Sequence, residues 1–235
     1  MGLTEHVTEW FRAAVDKRCV DARTTFFDQS LFPWTVAIEA AFDQVRLELD
    51  QLLAHKSQIP AFDRVSARQA PLAGSKWKTF FFRVYGHDIQ ESSSLCPRTA
   101  KLISEIPGAT TAFFSILEGG KHIPPHSGPY KGVLRYHLGL LIPTSDHTCA
   151  IRVGSDVRGW SEGKSLIFDD THEHEAWNHT DSDRVVLFVD FVRPIPGFLG
   201  FINRSILLVA KYIHPDVKEV RKNAQKYAKA MQATS

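Results

Sequence analysis

Two histidines and an arginine lie close together in the stretch PPHSGPYKGVLRYHLGL, near the middle of the chain. His126 lies in a turn rich in proline and glycine, and loops of this kind commonly present functional side chains. If VLRYHLG is a strand, Arg135, His137 and Gly139 share one face, and the leucines and the tyrosine share the other. An inward-facing arginine and histidine are costly to bury unless a ligand uses them, whereas an outward-facing pair is simply solvated. The strand alone leaves both interpretations open.

A second group of histidines lies in FDDTHEHEAWNHTDSDR, before an apolar run. If residues 171–177 are extended, His172 and His174 share a face, and either of them could join His126 at a metal ion. Ten residues after His174, Arg184 opens the run RVVLFVDFV, where its guanidinium is suited to bind a carboxylate through two hydrogen bonds. A surface ion pair with a neighbouring aspartate is the alternative interpretation of Arg184.

Two histidines from separate strands, two arginines and a serine form a set that suits a divalent metal ion with a dicarboxylate bound to it. Non-haem iron oxygenases that consume 2-oxoglutarate use this combination on a jelly roll. Their usual iron site has two histidines and one carboxylate, commonly in a His-x-Asp/Glu pattern. Here Ser127 and Gly128 follow His126, so that a glycine stands at the position of the carboxylate.

Short runs rich in β-branched and aromatic residues fill the middle of the chain, and Gly, Pro, Asp and Ser clusters bound them. They are WKTFFFRVYG, TTAFFSILEGG, VLRYHLGLLIP, TCAIRVG, KSLIFDD and RVVLFVDFV. Their close spacing without intervening helices predicts a mainly β fold, an antiparallel jelly roll with a cupin-like, double-stranded β-helix core. Helical periodicity predicts helices over 3–19, 34–54 and 98–105, and a further one in HPDVKEVRKNAQKYAKAMQ.

We predict a single domain over residues 1–235, in which helices flank the β-core. Its parts are a mostly helical N-terminal region at 1–70, a jelly-roll catalytic core at 75–195 and a helical C-terminal tail at 196–235. The segment IPGFLGFINRSILLVAKYI, which forms much of this tail, is interrupted by glycines, a proline and two polar residues, so it is not expected to span a membrane. It either packs on the domain or lies on a membrane surface.

The composition limits the classes of function. With 43% hydrophobic and 23% charged residues the chain is typical of soluble globular proteins, and a net charge of +2 gives no electrostatic argument for binding nucleic acid. No run approaches the roughly 20 apolar residues of a spanning helix, so no transmembrane segment is predicted. Cys19, Cys96 and Cys149 are far apart and form no CxxC pair, which favours a reducing, cytoplasmic location, with peripheral membrane contact left open.

Two long segments, SILEGGKHIPPHSGPYKGVLRYHLGLLIP and WSEGKSLIFDDTHEHEAWNHTDSDRVVLFVDF, resemble the aspartyl/asparaginyl β-hydroxylase family. The resemblance covers roughly residues 75–195 and implies a soluble bacterial member of this family of Fe(II)- and 2-oxoglutarate-dependent dioxygenases. CPRTAKLISEIP and PIPGFLGFINRS also resemble the bacterial branch that hydroxylates lipid A acyl chains. That branch typically carries His-x-Asp and hydrophobic N-terminal segments, and this sequence shows neither.

The resemblance implies an iron site made of His126 and His174, which would form the catalytic centre, with Gly128 in the place of the carboxylate ligand. His172 would then be a neighbour of the iron and not a ligand. A water molecule would fill the vacated position, and an aspartate of the FDD sequence would either steady that water, orient His174 or cap the strand. Because two neutral imidazoles leave the charge of the ion uncompensated, metal retention is expected to depend on the dianionic cosubstrate.

The resemblance also implies a site for the cosubstrate. Ser115 and Arg184 would bind the distal carboxylate of 2-oxoglutarate, and Arg135 and His137 would contact its metal-bound end. In this scheme 2-oxoglutarate and O2 are the small-molecule partners of the enzyme. Trp77, Trp160 and Trp177 could line a substrate groove, although core packing is expected for Trp160.

We therefore expect an enzyme that hydroxylates an unactivated C–H bond while 2-oxoglutarate is converted to succinate and CO2. The β-carbon of an aspartyl- or asparaginyl-type substrate is the first expectation, and a protein side chain, a free amino acid, a carrier-tethered amino acid and an acyl chain all stay open. The alternatives are a lipid A acyl-chain hydroxylase, a cupin metalloprotein that holds zinc or another metal with His126, His172 and His174, and a non-catalytic binding module. The predicted carboxylate-binding residues favour the dioxygenase, because a zinc hydrolase needs no dicarboxylate site.

Overall fold

Two antiparallel β-sheets form the centre of the structure, and helices from both ends of the chain pack around them. The computed structural model describes residues 3–144 and 146–233. Its helices are α1 (Leu3–Arg18), α2 (Trp34–Ala40), α3 (Phe42–Leu53), α4 (Phe62–Val65), α5 (Ala70–Ala73), α6 (Gln90–Leu95), α7 (Pro97–Glu105), α8 (Gly197–Ile213) and α9 (Pro215–Gln232). Its strands are β1 (Phe26–Phe27), β2 (Trp77–Val84), β3 (His87–Asp88), β4 (Ala109–Leu117), β5 (Lys121–His126), β6 (Val133–Leu141), β7 (Cys149–Val153), β8 (Asp156–Gly159), β9 (Ser165–Phe168), β10 (His174–Asn178) and β11 (Arg184–Val192).

The strands form a larger and a smaller sheet. The larger sheet has the order β1-β9-β6-β11-β4-β2-β3, and the smaller sheet has the order β5-β10-β7-β8. Every named pair of neighbouring strands is antiparallel. Many neighbours within a sheet are distant in sequence, as in a jelly roll, where the chain crosses repeatedly between two sheets. The mainly β, jelly-roll fold expected from the sequence is therefore confirmed.

The apolar core joins the larger sheet to the helices around it. The central strands β4 and β11 are buried along almost their whole length, because both of their faces are covered. Phe113 stacks on Phe188 and lies against Phe81, with ring centroids 4.1 and 4.6 Å apart. In α9, which packs against β2, the buried residues recur at helical spacing, and they are Val217, Val220, Ala224, Ala228 and Met231.

Helices α1 and α8 pack on each other around a second, smaller apolar cluster. Phe11 and Val15 of α1 are fully buried in it, together with Ala22 and Ile195. The inner side of α8 covers this cluster with Leu199, Ile202 and Ile206. Within the described residues, none of the helices has the length and apolar content that crossing a bilayer requires.

Two details of the elements differ from the sequence prediction. The helix expected over 34–54 is divided at Ala41, which leaves helical geometry at φ −93° and ψ 8°. The extended segment expected over 171–177 begins only at His174, because a turn precedes it. The expectation that His172 and His174 share a face of one strand is therefore wrong.

Candidate active site

Two imidazole rings meet where neighbouring strands of the smaller sheet end. His126 is the last residue of β5 and His174 is the first residue of β10, and the antiparallel register pairs them directly. Their ring centroids are 4.1 Å apart. The structure thus brings together the two histidines that the sequence analysis named as ligands.

Each ring is oriented by the backbone carbonyl two residues before it. Nδ1 of His126 donates to the carbonyl of Pro124 at 2.8 Å, and Nδ1 of His174 donates to the carbonyl of His172 at 3.0 Å. A carbonyl oxygen only accepts, so the proton of each neutral ring belongs on Nδ1. Each ring therefore keeps a lone pair on Nε2, the atom that commonly binds a metal ion.

Burial keeps both rings neutral. It lowers the pKa of His174 to about 3, with further contributions from the charges of Arg135 and His126. Burial also lowers the pKa of His126, although the hydrogen bond to the Pro124 carbonyl opposes this effect. A neutral imidazole is the form that binds a metal ion, so neither ring has to lose a proton first at neutral pH.

The inner face of the larger sheet lies opposite these rings. The register places Arg135 and His137 of β6 beside β11, and His137 is buried. The ring of His137 lies 5.1 Å from that of Phe168, which in turn lies 6.0 Å from the ring of His174. The face that carries Arg135 and His137 is therefore the inner face of the sandwich, and the solvated interpretation of this strand is wrong.

Arg184 is a buried cation with unused hydrogen-bond donors. It is 2% exposed, and its Nε and Nη1 atoms have no hydrogen-bond partner among the described residues. Burial lowers the pKa of this guanidinium to about 10. Its neighbour Asp183 pairs instead with Lys56 at 2.7 Å, so the interpretation of Arg184 as a surface ion pair is wrong. Because an uncompensated buried charge is costly, this position suits an anionic ligand.

Two more polar groups lie near Arg184 on the larger sheet. Ser115 is buried on the adjacent strand β4, and its Oγ accepts a hydrogen bond from Nε1 of Trp77 at 3.0 Å, which leaves the hydroxyl proton free to donate. Nδ1 of His137 accepts from Nε1 of Trp160 at 3.2 Å. Burial and the charge of Arg184 hold the pKa of His137 well below its usual range. The neutral ring therefore carries its proton on Nε2, a buried donor without a partner in the described chain.

The carboxylate of Asp170 occupies the space beside Gly128. A Cβ atom at position 128 would lie 2.3 Å from Oδ2 of Asp170, so no other residue fits there unless Asp170 moves. The backbone N–H of Gly128 also donates to the carbonyl of Asp170 at 2.7 Å. Asp169, by contrast, pairs with Arg193 at 2.6 Å and accepts hydrogen bonds from Thr171. Of the two aspartates in FDD, Asp170 lies at the site and Asp169 holds the turn.

Arg135 connects the two sides of the site through ion pairs. Its Nη2 lies 2.8 Å from Oδ2 of Asp170, and its Nε lies 2.9 Å from Oδ1 of Asp190. The guanidinium also lies over the ring of Phe188, 4.3 Å from its centroid. Burial raises the pKa of Asp170 to about 6, although the charge of Arg135 opposes this effect. Arg135 is thus balanced by carboxylates of the chain itself, whereas Arg184 is not.

A family model for aspartyl/asparaginyl β-hydroxylases matches residues 39–194, more than half of the chain. The chain belongs to this family. The ornithine lipid ester-linked acyl 2-hydroxylase of Rhizobium tropici is 44% identical over 208 residues, which cover 88% of this chain and 74% of that protein. The aspartyl/asparaginyl β-hydroxylase of Homo sapiens is 37% identical over 123 residues, which cover 50% of this chain but only 16% of that protein.

Solved structures with partial likeness to this β-hydroxylase family member include cupins. A cupin domain of a transcriptional regulator from Enterobacter cloacae is 13% identical with a TM-score of 0.30, over 35% of this chain and 81% of that chain. A predicted oxalate decarboxylase from Thermotoga maritima is 16% identical with a TM-score of 0.31, over 36% of this chain and 68% of that chain. Likenesses this limited add nothing about chemistry.

The residues of this β-hydroxylase family member fit a ferrous ion with a dicarboxylate beside it. Two neutral imidazoles offer Nε2 lone pairs, and buried donors on Arg184 and His137 have no partner in the described chain. Within residues 3–144 and 146–233, no three His, Cys, Asp or Glu side chains are grouped to hold a metal ion. The three-histidine site of the cupin alternative, which includes His172, is therefore not formed there.

Trp160 makes contacts at the site that the sequence analysis did not predict. It is buried, as expected, but it also donates a hydrogen bond to His137 and lies under the guanidinium of Arg184, 4.5 Å from ring centroid to guanidinium carbon. Its indole reaches the site from a loop between β8 and β9. Neither strand alternation nor helical periodicity describes such a loop residue, so no pattern in the sequence indicated its position.

Proposed function

We propose that the chain is an Fe(II)- and 2-oxoglutarate-dependent dioxygenase that hydroxylates an unactivated C–H bond. The observation that carries this proposal is Arg184, a buried guanidinium with unpaired donors on the inner face that also holds His137. A metal site without a dicarboxylate cosubstrate would have no use for that cation. The match to a family of hydroxylases supports the same conclusion.

His126 and His174 would hold the iron through Nε2, since carbonyls fix the proton of each ring on Nδ1. Bound iron and 2-oxoglutarate together supply the oxidising chemistry that inserts one oxygen atom of O2 into a C–H bond and releases succinate and CO2. Asp170, paired with Arg135, would provide negative charge beside the two neutral imidazoles, in the space that a side chain at Gly128 would otherwise fill.

The cosubstrate would be held by donors of the larger sheet. Arg184 would bind the distal carboxylate through donors that have no partner in the described chain, and the Ser115 hydroxyl would donate to the same group. The Nε2–H of His137 would donate to the 2-oxo acid. Trp160 fixes the orientation of both His137 and Arg184 and, being buried, keeps water away from them.

An acyl chain of an amino-acid-containing lipid is the substrate class that we place first. The relative named for ester-linked acyl 2-hydroxylation matches 88% of the chain, and this extent must include helices outside the family match at residues 39–194. An aspartyl- or asparaginyl-type side chain, the first expectation from the sequence, is the second candidate, because the human enzyme named for that reaction matches half of the chain. A cytoplasmic location stays a prediction from the cysteine pattern.

Succinate formation tests this function directly. The full chain with Fe(II), 2-oxoglutarate and O2 is offered ornithine lipid, lipid A, an aspartate-containing peptide and free aspartate, and both succinate and hydroxylated product are measured. We expect coupled formation of succinate and an acyl chain heavier by one oxygen atom with ornithine lipid. Absence of 2-oxoglutarate consumption with every substrate, in a chain shown to bind Fe(II), would contradict the proposal.

Conservative variants separate binding of the cosubstrate from folding. Because a hydrogen bond to a charged group contributes about 1.5–3 kcal/mol, Arg184→Lys is expected to raise the KM for 2-oxoglutarate about 10- to 100-fold with a smaller change in kcat. The matched control is Arg83→Lys in β2, where Arg83 pairs with Asp88 away from the site. Equal KM values for the two variants would remove Arg184 from the cosubstrate site.

A further inference from the structure

Helix α8 exposes an unusually apolar outer side. Its exposed large side chains are between 53% and 77% accessible, and they are Phe198, Phe201, Leu208, Val209, Tyr212 and Ile213. They recur at intervals of three and four residues, so they share one side of the helix. The opposite side is buried at Gly200 and Asn203. We call this row of exposed side chains, together with Trp10 of α1, which is 53% exposed, the α8 face.

The α8 face continues into a groove between α8 and α1. The groove has a volume of about 370 Å³, and Trp10, Phe198, Leu199 and Ile202 are among its lining residues. It is open to solvent and mostly apolar in its lining, so an apolar chain could enter it. A large exposed apolar area of this kind is uncommon on soluble proteins and marks an interaction site.

Cations border the α8 face, and α8 contains no acidic residue. Arg204 and Lys211, two turns apart along the helix, lie at the same border of the exposed row when the helix is projected at 100° per residue. Arg18, at the end of α1, lines the groove. Arg18 and Arg204 are exposed and form no ion pair within the described part of the chain. These cations are complementary to an anionic surface, and the exposed acidic residue next to Trp10 is Glu9 of α1.

The α8 face is connected to the turn that follows His126. The hydroxyl of Tyr130 donates to Oδ1 of Asn203 at 2.8 Å, and Nδ2 of Asn203 donates to the carbonyl of Gly132 at 2.8 Å. From α1, Nη2 of Arg12 donates to the carbonyl of Gly128 at 3.4 Å. The two helices that present the apolar surface therefore also hold the loop beside the histidine pair.

We propose that the α8 face binds the surface of a bilayer that contains anionic lipid. An acyl chain would then reach the active site from the membrane, a step that rests on the proposed function. A helix of this type lies in the plane of the interface with its apolar side in the acyl boundary and its cations at the headgroups. A second copy of the chain is a poorer occupant, because its α8 offers no carboxylate to Arg204 and Lys211.

Vesicle binding tests the docking surface without any iron or 2-oxoglutarate. The full chain is sedimented with vesicles of phosphatidylcholine alone and of phosphatidylcholine with phosphatidylglycerol, and we expect binding to the anionic vesicles. The double variant Phe201→Asp/Leu208→Asp is expected to weaken this binding about tenfold or more. The matched control is Leu47→Asp, since Leu47 is 61% exposed on α3, outside the α8 face. Thermal unfolding of each variant shows that the fold is retained.

Charge reversal tests the electrostatic part of the same contact. Arg204→Glu is expected to weaken binding to anionic vesicles about tenfold and to reduce its salt dependence, whereas Lys101→Glu on α7, also an exposed cation, leaves binding unchanged. Absence of vesicle binding, or equal binding by the apolar-face double variant, would overturn the docking proposal. So would a dimer in solution that the double variant dissociates, because a second copy would then cover the face.

The outcomes distinguish docking from catalysis. Turnover of detergent-dispersed lipid without vesicle binding would contradict only the docking surface. Vesicle binding without consumption of 2-oxoglutarate would contradict only the proposed function.

Discussion

The absence of a side chain at Gly128 leaves room for the carboxylate of Asp170. The position two residues after His126 would hold a carboxylate in the common His-x-Asp/Glu pattern. Here a glycine stands at that position, and Oδ2 of Asp170 from another loop lies within 2.3 Å of where a Cβ of residue 128 would be. Because Arg135 pairs with this carboxylate at 2.8 Å, Asp170 is held beside Gly128 by an ion pair to the larger sheet.

Exchanging the residues at positions 128 and 170 tests whether Asp170 occupies the space that a side chain at position 128 would need. Gly128→Asp alone is expected to lower the free energy of unfolding by about 1–3 kcal/mol, because the new side chain overlaps Asp170. Adding Asp170→Gly makes room and is expected to restore most of the loss, so that the two changes are strongly coupled. Urea denaturation measures both effects, with Asp170→Gly alone as the control. A Gly128→Asp variant as stable as the parent chain would show that Asp170 moves aside easily.

At the level of residues, the sequence predicted which side chains lie around the histidine pair but not the contacts that orient them. His126 stood out in a turn rich in proline and glycine, His174 stood out in a polar, histidine-rich segment, and the resemblance selected His174 over His172. The proton positions depend on carbonyls two residues before each ring, and the role of Trp160 depends on a loop conformation. No residue pattern encodes those contacts, because they follow from backbone geometry and from register between sheets.

At the level of elements, the strands that carry the histidines were the difficult ones. β5 contains two prolines, which a central strand would not tolerate, but β5 lies at the edge of the smaller sheet. β10 has a turn directly before it, so its polar, histidine-rich sequence resembles a loop. The strands of the larger sheet were predictable because continuous burial requires runs of apolar residues, as in β4 and β11.

Asn203 couples α8 to the site loop, and its removal should affect both. Asn203→Leu leaves the carbonyl of Gly132 and the hydroxyl of Tyr130 without their partner, so we expect a loss of about 1–3 kcal/mol in the free energy of unfolding, together with weaker iron binding. The control is Ser205→Ala on the same helix, whose hydroxyl bonds only to the carbonyl of Phe201. Urea denaturation and calorimetric iron titration measure the two effects. Similar losses in both variants would mean that α8 is uncoupled from the loop.

At the level of the whole molecule, one apolar cluster includes residues of the helical N-terminal region, of both sheets and of the C-terminal helix. Val45 of α3, Phe113 of β4, Ile151 of β7 and Val220 of α9 all belong to it. We propose on this ground that residues 1–235 form the single domain expected from the sequence. Removing one part would leave the apolar surface of the others exposed to water.

Calorimetry tests whether the chain unfolds as a single domain. We expect one thermal transition, in which the calorimetric enthalpy equals the van't Hoff enthalpy. For 235 residues this enthalpy of unfolding is expected to be about 160 kcal/mol at 60 °C. Removal of the α9 contact by Ala224→Asp should shift the whole transition to lower temperature instead of splitting it, because Ala224 is buried in the shared cluster. Two separate transitions in the unaltered chain would indicate independently folding parts.

The position of Cys19 gives the native chain a labelling site for a fluorescent dye. Its thiol lines the groove between α1 and α8 and is partly accessible, whereas the thiols of Cys96 and Cys149 are buried. A maleimide dye would therefore attach at a single place without mutagenesis, most readily at mildly alkaline pH, because burial raises the pKa of the Cys19 thiol. The emission of a polarity-sensitive dye at that place would shift to shorter wavelength when the protein leaves water for lipid, and the same signal would follow arrival and departure in real time.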